Sequence, residues 1–265
     1  RLKKEQIMVD ARVLGDKFAP ITSDMGFVRA PAADVVRSYC EWGLEYGRPR
    51  TVTEVPGGLA DAGSLMEPLD YGPTSKFLVV GTAHPEWSAF VDNGAQGTDP
   101  GSPTKVLGQR LNTDSLYISC IPACPPGDER ARLGARKFVV HHPDPRPAAG
   151  LAEIIRMVAV IQDSRWTFHT SGDPLPFEDV AAYTNRRIAD RFTPEMLADY
   201  CAAYGLRPFD DDFFPGPSYI IEGERKISPL ARLSPSETFA QAQARLGIVP
   251  RDDAPQRTDD ERRQE

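Results

Sequence analysis

A short segment in the last quarter of the chain joins three consecutive carboxylates to two consecutive aromatic rings: Asp210, Asp211, Asp212, Phe213 and Phe214. Two large apolar side chains next to each other in an acidic loop are difficult to bury together. Exposed aromatic rings surrounded by charge are typical of protein-binding surfaces. A row of like charges is usually solvated or meets a basic partner. The segment therefore predicts a surface that binds a protein partner, and its charge favours a basic one.

The alternative is catalysis by a site assembled from distant parts of the chain. The candidate residues for such a hydrolase are His141, His169, Asp92 and Cys120, whose side chains serve elsewhere as acids, bases and nucleophiles. The chain contains no nucleotide-binding glycine motif, no G-x-S-x-G and no H-E-x-x-H. Because catalytic groups often come from separate elements, the lack of a motif does not exclude an enzyme.

Two pairs of nearby residues resemble parts of a metal site. His141 and His142 are adjacent, and adjacent side chains on a strand point to opposite faces, so both imidazoles reach one ion only where the strand has ended. Cys120 and Cys124 could form half of a zinc site or a disulfide, but no second cysteine pair lies near them in the sequence. We favour surface histidines and reduced thiols, and we expect no metal and no cofactor.

The segment Asp92-Asn93-Gly94, together with Asp99, brings several oxygen ligands close enough for calcium. The spacing of an EF-hand is absent, however. Asp and Asn before Gly also suit a turn that needs no ligand. We therefore favour a turn at this position.

Composition and charge exclude some classes of function. The 265 residues are 40% hydrophobic and 26% charged, which is typical of a soluble globular protein. The formal net charge of −7 argues against nucleic acid or an anionic membrane as the main partner. No segment approaches the roughly 20 apolar residues that a membrane helix needs. We expect a cytoplasmic protein, and the frequent Ala, Arg, Asp and Pro residues suggest a bacterial one.

The elements that must position these residues begin with a predicted β-hairpin. Phe77–Val80 and Trp87–Val91 are short apolar runs separated by a polar break, which is typical of two antiparallel strands. A helix is predicted over 31–46 and another from Ser102-Pro103, with a long loop over 56–73. Further strands are predicted over 51–55, 116–121, 137–141, 154–161 and 166–169, with a helix as the alternative for 154–161.

From Phe177 onwards the pattern becomes mainly helical. Apolar residues recur at helical spacing over 178–190, and again after Thr193-Pro194 in a helix that ends at Gly205. The segment 218–222 is predicted as an edge strand.

The last predicted helix starts at a capping box formed by Ser234 and Glu237, and it ends at Gly247. Apart from Ala254 and Pro255, only polar and charged residues follow Pro250. Residues 251–265 are therefore predicted to be a solvated, disordered tail.

Together these elements predict an α+β fold with a mainly antiparallel sheet covered by helices and a helical C-terminal part. We expect residues 1–250 to form a single domain, sheet-rich over 51–169 and helix-rich over 177–247. The preferred hypothesis is a non-enzymatic bacterial protein-binding module, of the immunity or accessory type, that masks or adapts its partner. The hydrolase is the alternative.

Overall fold

The fold is an α+β arrangement built on a nine-stranded sheet whose neighbouring strands all pair antiparallel within the described residues. The computed structural model describes residues 11–122, 133–146, 150–223 and 236–251. The strands are β1 (Asp24–Val28), β2 (Arg50–Val55), β3 (Leu69–Asp70), β4 (Lys76–Gly81), β5 (Ser88–Asp92), β6 (Ser115–Ile121), β7 (Ala135–His142), β8 (Glu153–Gln162), β9 (Trp166–Ser171), β10 (Ser218–Gly223) and β11 (Ser236–Glu237). Their order in the sheet is β2-β10-β4-β5-β1-β6-β7-β8-β9, while β3 and β11 form a separate pair.

The described α-helices are α1 (Ala32–Glu45), α2 (Leu59–Ala62), α3 (Gly101–Leu111), α4 (Pro194–Ala202) and α5 (Phe239–Leu246). Helices α1 and α3 contact each other and cover one face of the sheet, α1 over β4 and β10 and α3 over β1 and β6. The opposite face is covered by the segments that contain α2, α4 and α5. None of the helices in the described part of the chain is long and apolar enough to cross a membrane.

Successive side chains along each strand point to opposite faces of the sheet, so one strand contributes to the cores on both faces. In β4, Phe77 and Val79 pack with α1, whereas Leu78 and Val80 pack on the other side of the sheet. A sheet that is buried on both faces needs apolar side chains in both directions. This is why the central strands read as nearly continuous apolar runs.

Helix α3 lies unusually close to the sheet. A Cβ atom on Gly26 of β1 would lie only 2.1 Å from Cγ2 of Thr104 in the first turn of α3, so no larger residue fits there without movement. The Thr104 hydroxyl donates a hydrogen bond to the carbonyl of Pro100 at 2.7 Å. This close approach fixes the loop before α3 over one end of the sheet.

Several local predictions are confirmed. Strands β4 and β5 pair as the predicted hairpin, with Val79 opposite Phe90. Helix α1 ends before Gly47, whose φ is +64°. Helix α4 begins at its predicted cap, where the Thr193 hydroxyl accepts a hydrogen bond from the N–H of Met196 at 3.3 Å.

The helix predicted over 178–190 is wrong. This stretch forms short 3-10 turns at Ala182–Thr184 and Ile188–Arg191. Val180 is 49% exposed, while the carboxylate of Glu178 turns inward to a buried ion pair with Arg156. The predicted helix-rich C-terminal part is therefore a mixture of short helices, turns and strands, which include β10 and β11.

The start of the last helix also differs from the prediction. Its cap is Thr238, whose hydroxyl accepts from the N–H of Gln241, while the Gln241 side chain accepts from the N–H of Thr238. Glu237 instead lies in β11. This second capping box is preferred because it places Phe239 and Ala242 in the core. Ser234 and residues 252–265 of the predicted tail lie outside the described residues.

Two further differences concern segments beside the sheet. The stretch 218–222 is not an edge, because β10 pairs with β2 on one side and β4 on the other. The predicted loop over 56–73 contains α2 and β3. Its buried residues Leu59, Ala62 and Met66 recur at helical spacing, a signal that is visible in the sequence.

Candidate ligand-binding cleft

A cavity of about 980 Å³, hereafter the cleft, lies over one end of the sheet. Five adjacent strands have an end there, marked by Arg50 of β2, Gly223 of β10, Ser75 before β4, Asp92 of β5 and Asp24 of β1. The second half of α1, the turn after it and the loops before β4 and α3 form the walls. A cleft of this volume is in the range of small-molecule sites.

One wall of the cleft is aromatic and carries a cation. Tyr39 and Trp42 come from α1 and Phe77 from β4, and the ring centroids of Tyr39 and Phe77 are 5.0 Å apart. The Cζ atom of Arg50 lies 4.2 Å from the Tyr39 centroid and 4.8 Å from the Phe77 centroid. The quadrupoles of the two rings attract the guanidinium and hold it in this wall.

The donors of Arg50 have no acceptor within the described residues. Its Nε atom is buried without a hydrogen-bond partner, and no described carboxylate forms an ion pair with the side chain. A guanidinium carries five N–H donors, and buried donors that lack partners cost free energy. A carboxylate or phosphate in the cleft would supply the missing acceptors in the geometry that arginine prefers.

The other side of the cleft carries carboxylates. Asp92 is 6% exposed, and its Oδ1 accepts a hydrogen bond from the N–H of Gly94 at 2.9 Å. Burial is the main reason that the pKa of Asp92 is raised to about 6. The charges of Asp99 and Asp24 act in the same direction, while the N–H groups of Gly94 and Asp99 oppose the shift. A carboxyl group that titrates near neutral pH inside a cleft is typical of a functional site.

Asn93 holds the loop walls of the cleft together. Its Oδ1 accepts from the N–H groups of Ser75 and Lys76, both at 3.1 Å. Its Nδ2 donates to the carbonyl of Pro68 at 2.8 Å and to Asp70 at 3.0 Å. Asp70 also accepts two hydrogen bonds from Ser75. The acceptors of Asp70 are therefore engaged in holding the wall, whereas Asp92 accepts from backbone N–H groups and keeps lone pairs for a ligand.

Replacing Asp92 with Asn should stabilise the protein at neutral pH. The folded protein holds the Asp92 proton up to about pH 6, whereas the unfolded chain releases it near pH 4. The free energy of unfolding therefore falls as the pH rises from about 4 to 6, and above pH 6 the full cost of the buried charge is present. We expect D92N to gain about 2–3 kcal/mol at pH 7.5 and almost nothing at pH 4.

Urea unfolding of both proteins at the two pH values measures this difference. D211N, which changes an exposed carboxylate, serves as the control and should change little at either pH. An equal effect of D92N at pH 4 and pH 7.5 would show that the Asp92 carboxyl does not titrate as a buried group.

The segment predicted to bind a partner lies away from the cleft, and its aromatic half is not exposed. Phe213 and Phe214 are 1% and 4% exposed and belong to the main core. Burying both is possible because they follow a turn and pack against each other with centroids 5.2 Å apart. The expected exposed aromatic pair is thus wrong. Asp210, Asp211 and Asp212 are exposed, and partner binding by these carboxylates stays a prediction.

The structure does not bring the four hydrolase candidates together. Asp92 alone lies in the cleft. His141 is buried at the far end of the sheet beside Ser115, and burial lowers its pKa to about 4. His169 is exposed on the edge strand β9, and Cys120 packs against the core on the opposite face of the sheet.

The described residues also show no metal-ligand set. Among them, no group of three or more His, Cys, Asp or Glu side chains is arranged to hold an ion. His142 is exposed and pairs with Asp114 at 2.6 Å, separately from the buried His141. Cys124 lies outside the described residues.

Sequence reasoning missed most of the cleft, above all Arg50. One signal was present: the apolar side chains of α1 include Tyr39, Trp42 and Leu44 and form a face broader than the core needs, since Leu44 is 60% exposed. Tyr39 and Trp42 from that face line the cleft, and Arg50 follows the end of the helix by a few residues.

No family model, no curated protein and no solved structure significantly matches this chain.

Proposed function

We propose that this protein binds a small organic anion that carries a flat ring in the cleft. The observation that carries the proposal is the position of Arg50, whose guanidinium is fixed against two aromatic rings in the cleft wall and has no acceptor among the described residues. The half-buried ring of Trp42, which packs beside the buried Tyr39, offers an apolar, aromatic surface to the body of the ligand. The anionic group of the ligand would pair with Arg50.

The concave shape of the cleft supports binding of a small molecule over binding of a protein at this place. A concave site with aromatic walls and a few polar groups is the usual form of a small-molecule site. The hydrogen bonds of Asn93 and Asp70 hold the loop walls in place without a ligand. A preformed site avoids much of the entropy cost of ordering its walls on binding.

Calorimetric titration with two matched probe pairs tests the proposal. Benzoate and indole-3-acetate carry a ring and a carboxylate, whereas benzyl alcohol and indole-3-ethanol carry the same rings without charge. We expect the anions to bind more tightly than the alcohols, and R50Q to weaken the anions about tenfold or more while leaving the alcohols unchanged.

The control variant is R37Q, which makes the same change at an exposed position of α1 where Arg37 pairs with Asp34. Thermal melts of both variants verify that they are folded. Equal affinities of anions and alcohols for the native protein, or equal anion affinities of R50Q and R37Q, would refute the proposal.

A second candidate function is binding of a basic protein partner by Asp210, Asp211 and Asp212. The observation that favours it is that the burial of Phe213 and Phe214 holds three exposed carboxylates in a fixed place. Two of them are partly neutralised, because Asp210 pairs with Arg207 and Asp211 with Arg251. Such exposed pairs are weak and can be replaced by a partner's cations.

Neutralising the three aspartates to Asn tests this second function. We expect slower association with an immobilised lysine-rich peptide and a flatter dependence of the rate on salt, because exposed charges act by steering. Surface plasmon resonance at low and moderate salt measures both quantities. The matched control neutralises Glu41, Glu45 and Glu54, which are exposed elsewhere. If both triple variants associate at the same rate, the acidic loop has no special role.

A further inference from the structure

The cleft contains two opposite charges that do not neutralise each other. Arg50 lies at the start of β2 and Asp92 at the end of β5, with β10 and β4 between them. At a strand spacing of about 4.8 Å, their backbones are roughly 14 Å apart. No ion pair joins Arg50 to a carboxylate among the described residues. One end of the cleft is therefore cationic and the other acidic.

The side chains of both ends reach towards the middle of the cleft. Arg50 extends as far as the ring of Phe77, and Phe77 is the direct cross-strand neighbour of Asp92. The charges of both groups act on the pKa of Tyr39, so both lie near its ring. The cation and the carboxylate therefore share a part of the cleft that is lined by aromatic residues, as the body of a flat ligand requires.

The acidic end of the cleft has features that suit hydrogen-bond donors of a ligand. Asp92 is buried, and its described hydrogen-bond donors are backbone N–H groups, so lone pairs of the carboxylate are left over. Asp99 adds a second carboxylate to the same end of the cleft. The nearby charges that act on Asp92 are those of Asp99 and Asp24, which are both negative. A ligand that was anionic at this end as well would be repelled.

The cationic end has additional room. A second cavity, of about 480 Å³, shares Pro49, Arg50, Ser75 and Gly223 with the cleft. Arg50 thus contributes to the lining of both cavities. Thr51 and Ser75 add hydroxyl groups to the lining there. This end can accept a carboxylate or a bulkier phosphate.

We infer, on the basis of the proposed function, that the natural ligand is dipolar: its ring carries a carboxylate or phosphate that pairs with Arg50 and, at the other end, an amino group or an N–H-rich ring edge that donates to Asp92. An aromatic amine with a carboxylate and a nucleotide with an exocyclic amino group share this chemistry. A purely anionic ring compound uses only half of the cleft. A purely cationic one uses only the other half.

The first test compares three probes of the same shape at pH 7.5: benzoate, benzylamine and 4-(aminomethyl)benzoate. We expect the dipolar probe to bind at least about tenfold more tightly than either half, since each end gains a charge-assisted hydrogen bond. In D92N, 4-(aminomethyl)benzoate should bind no more tightly than benzoate. In R50Q, it should bind no more tightly than benzylamine. The control D211N should not change the affinity of the dipolar probe relative to benzoate or to benzylamine. Thermal melts verify that all variants are folded.

A second pair of probes distinguishes the two sources of the donor end. Guanosine monophosphate has an exocyclic amino group that inosine monophosphate lacks. A nucleotide ligand predicts tighter binding of the guanosine compound to the native protein and equal binding of both to D92N. Equal binding of the two nucleotides to the native protein, together with tight binding of 4-(aminomethyl)benzoate, assigns the donor to an amine.

The possible failures are distinct. If benzoate binds as tightly as 4-(aminomethyl)benzoate, and the guanosine compound no better than the inosine compound, the ligand is not dipolar, although the proposed anion site stands. If the dipolar probe keeps its advantage in D92N, Asp92 is not the acceptor and the inference is overturned. If none of the anionic probes binds the native protein, the proposed function itself fails.

Discussion

Replacing Phe213 with Ala is expected to lower the free energy of unfolding by about 3–5 kcal/mol, the usual cost of removing a buried phenylalanine ring. The ring is 1% exposed and contacts that of Phe214, which in turn stacks on Phe27 at 6.4 Å between centroids. Removing it leaves a cavity that a close-packed core does not fill. Urea unfolding measures the loss.

F177A is the matched control, because Phe177 is 37% exposed. Its replacement should lower the free energy of unfolding clearly less than the removal of a fully buried ring. The comparison decides between the two interpretations of the acidic aromatic segment. A ring that binds a partner contributes little to the stability of the free protein. If F213A lowers the free energy of unfolding by less than 1 kcal/mol, the ring is not part of the core, and the exposed binding surface predicted from the sequence is supported instead.

Replacing Glu178 with Gln should destabilise the protein by about 3–5 kcal/mol, because it leaves the charge of Arg156 buried without its counter-ion. The two side chains are 2% and 0% exposed. Arg156 donates from Nε to one carboxylate oxygen at 2.7 Å and from Nη2 to the other at 2.5 Å. The hydroxyl of Tyr183 donates to the same carboxylate at 2.6 Å.

Two comparisons make this prediction specific. E86Q removes the partner of Arg29 in an exposed pair and should cost far less than E178Q, because water screens both charges. The double replacement R156M/E178L removes both charges and should recover part of the loss of E178Q, since paired apolar groups can substitute for a buried ion pair while the hydroxyl of Tyr183 still loses its acceptor. If E178Q and E86Q cost the same, the buried pair does not hold the segment after β9 on the sheet.

The sequence predicts the elements whose signals are local. The hairpin of β4 and β5, the end of α1 at Gly47 and the cap of α4 at Thr193 depend on residues within a few positions of one another. Strand β1 was missed because Met25 and Phe27 pack on one face while Gly26 lies under α3. Its strand character comes from its two neighbours in the sheet.

The wrong and missing predictions concern features that depend on contacts between residues far apart in the sequence. The apolar spacing over 178–190 resembles a helix, but the buried pair of Glu178 with Arg156 sets the path of the chain there. The cleft was invisible because Arg50, Asp92 and Tyr39 are far apart in sequence and meet only where the strand ends align. Asp92 was a candidate from its type alone, and nothing in the sequence indicates its burial.

The proposed role of Arg50 is to bind an anion in the cleft. Its side-chain N–H resonances in a ¹H–¹⁵N spectrum, assigned by their loss in R50K, report this most directly. We predict that benzoate shifts the Arg50 Nε–H resonance in a saturable way, at the concentrations at which calorimetry detects binding, and that benzyl alcohol does not. An Arg50 resonance that stays in place while benzoate saturates the protein would contradict the account.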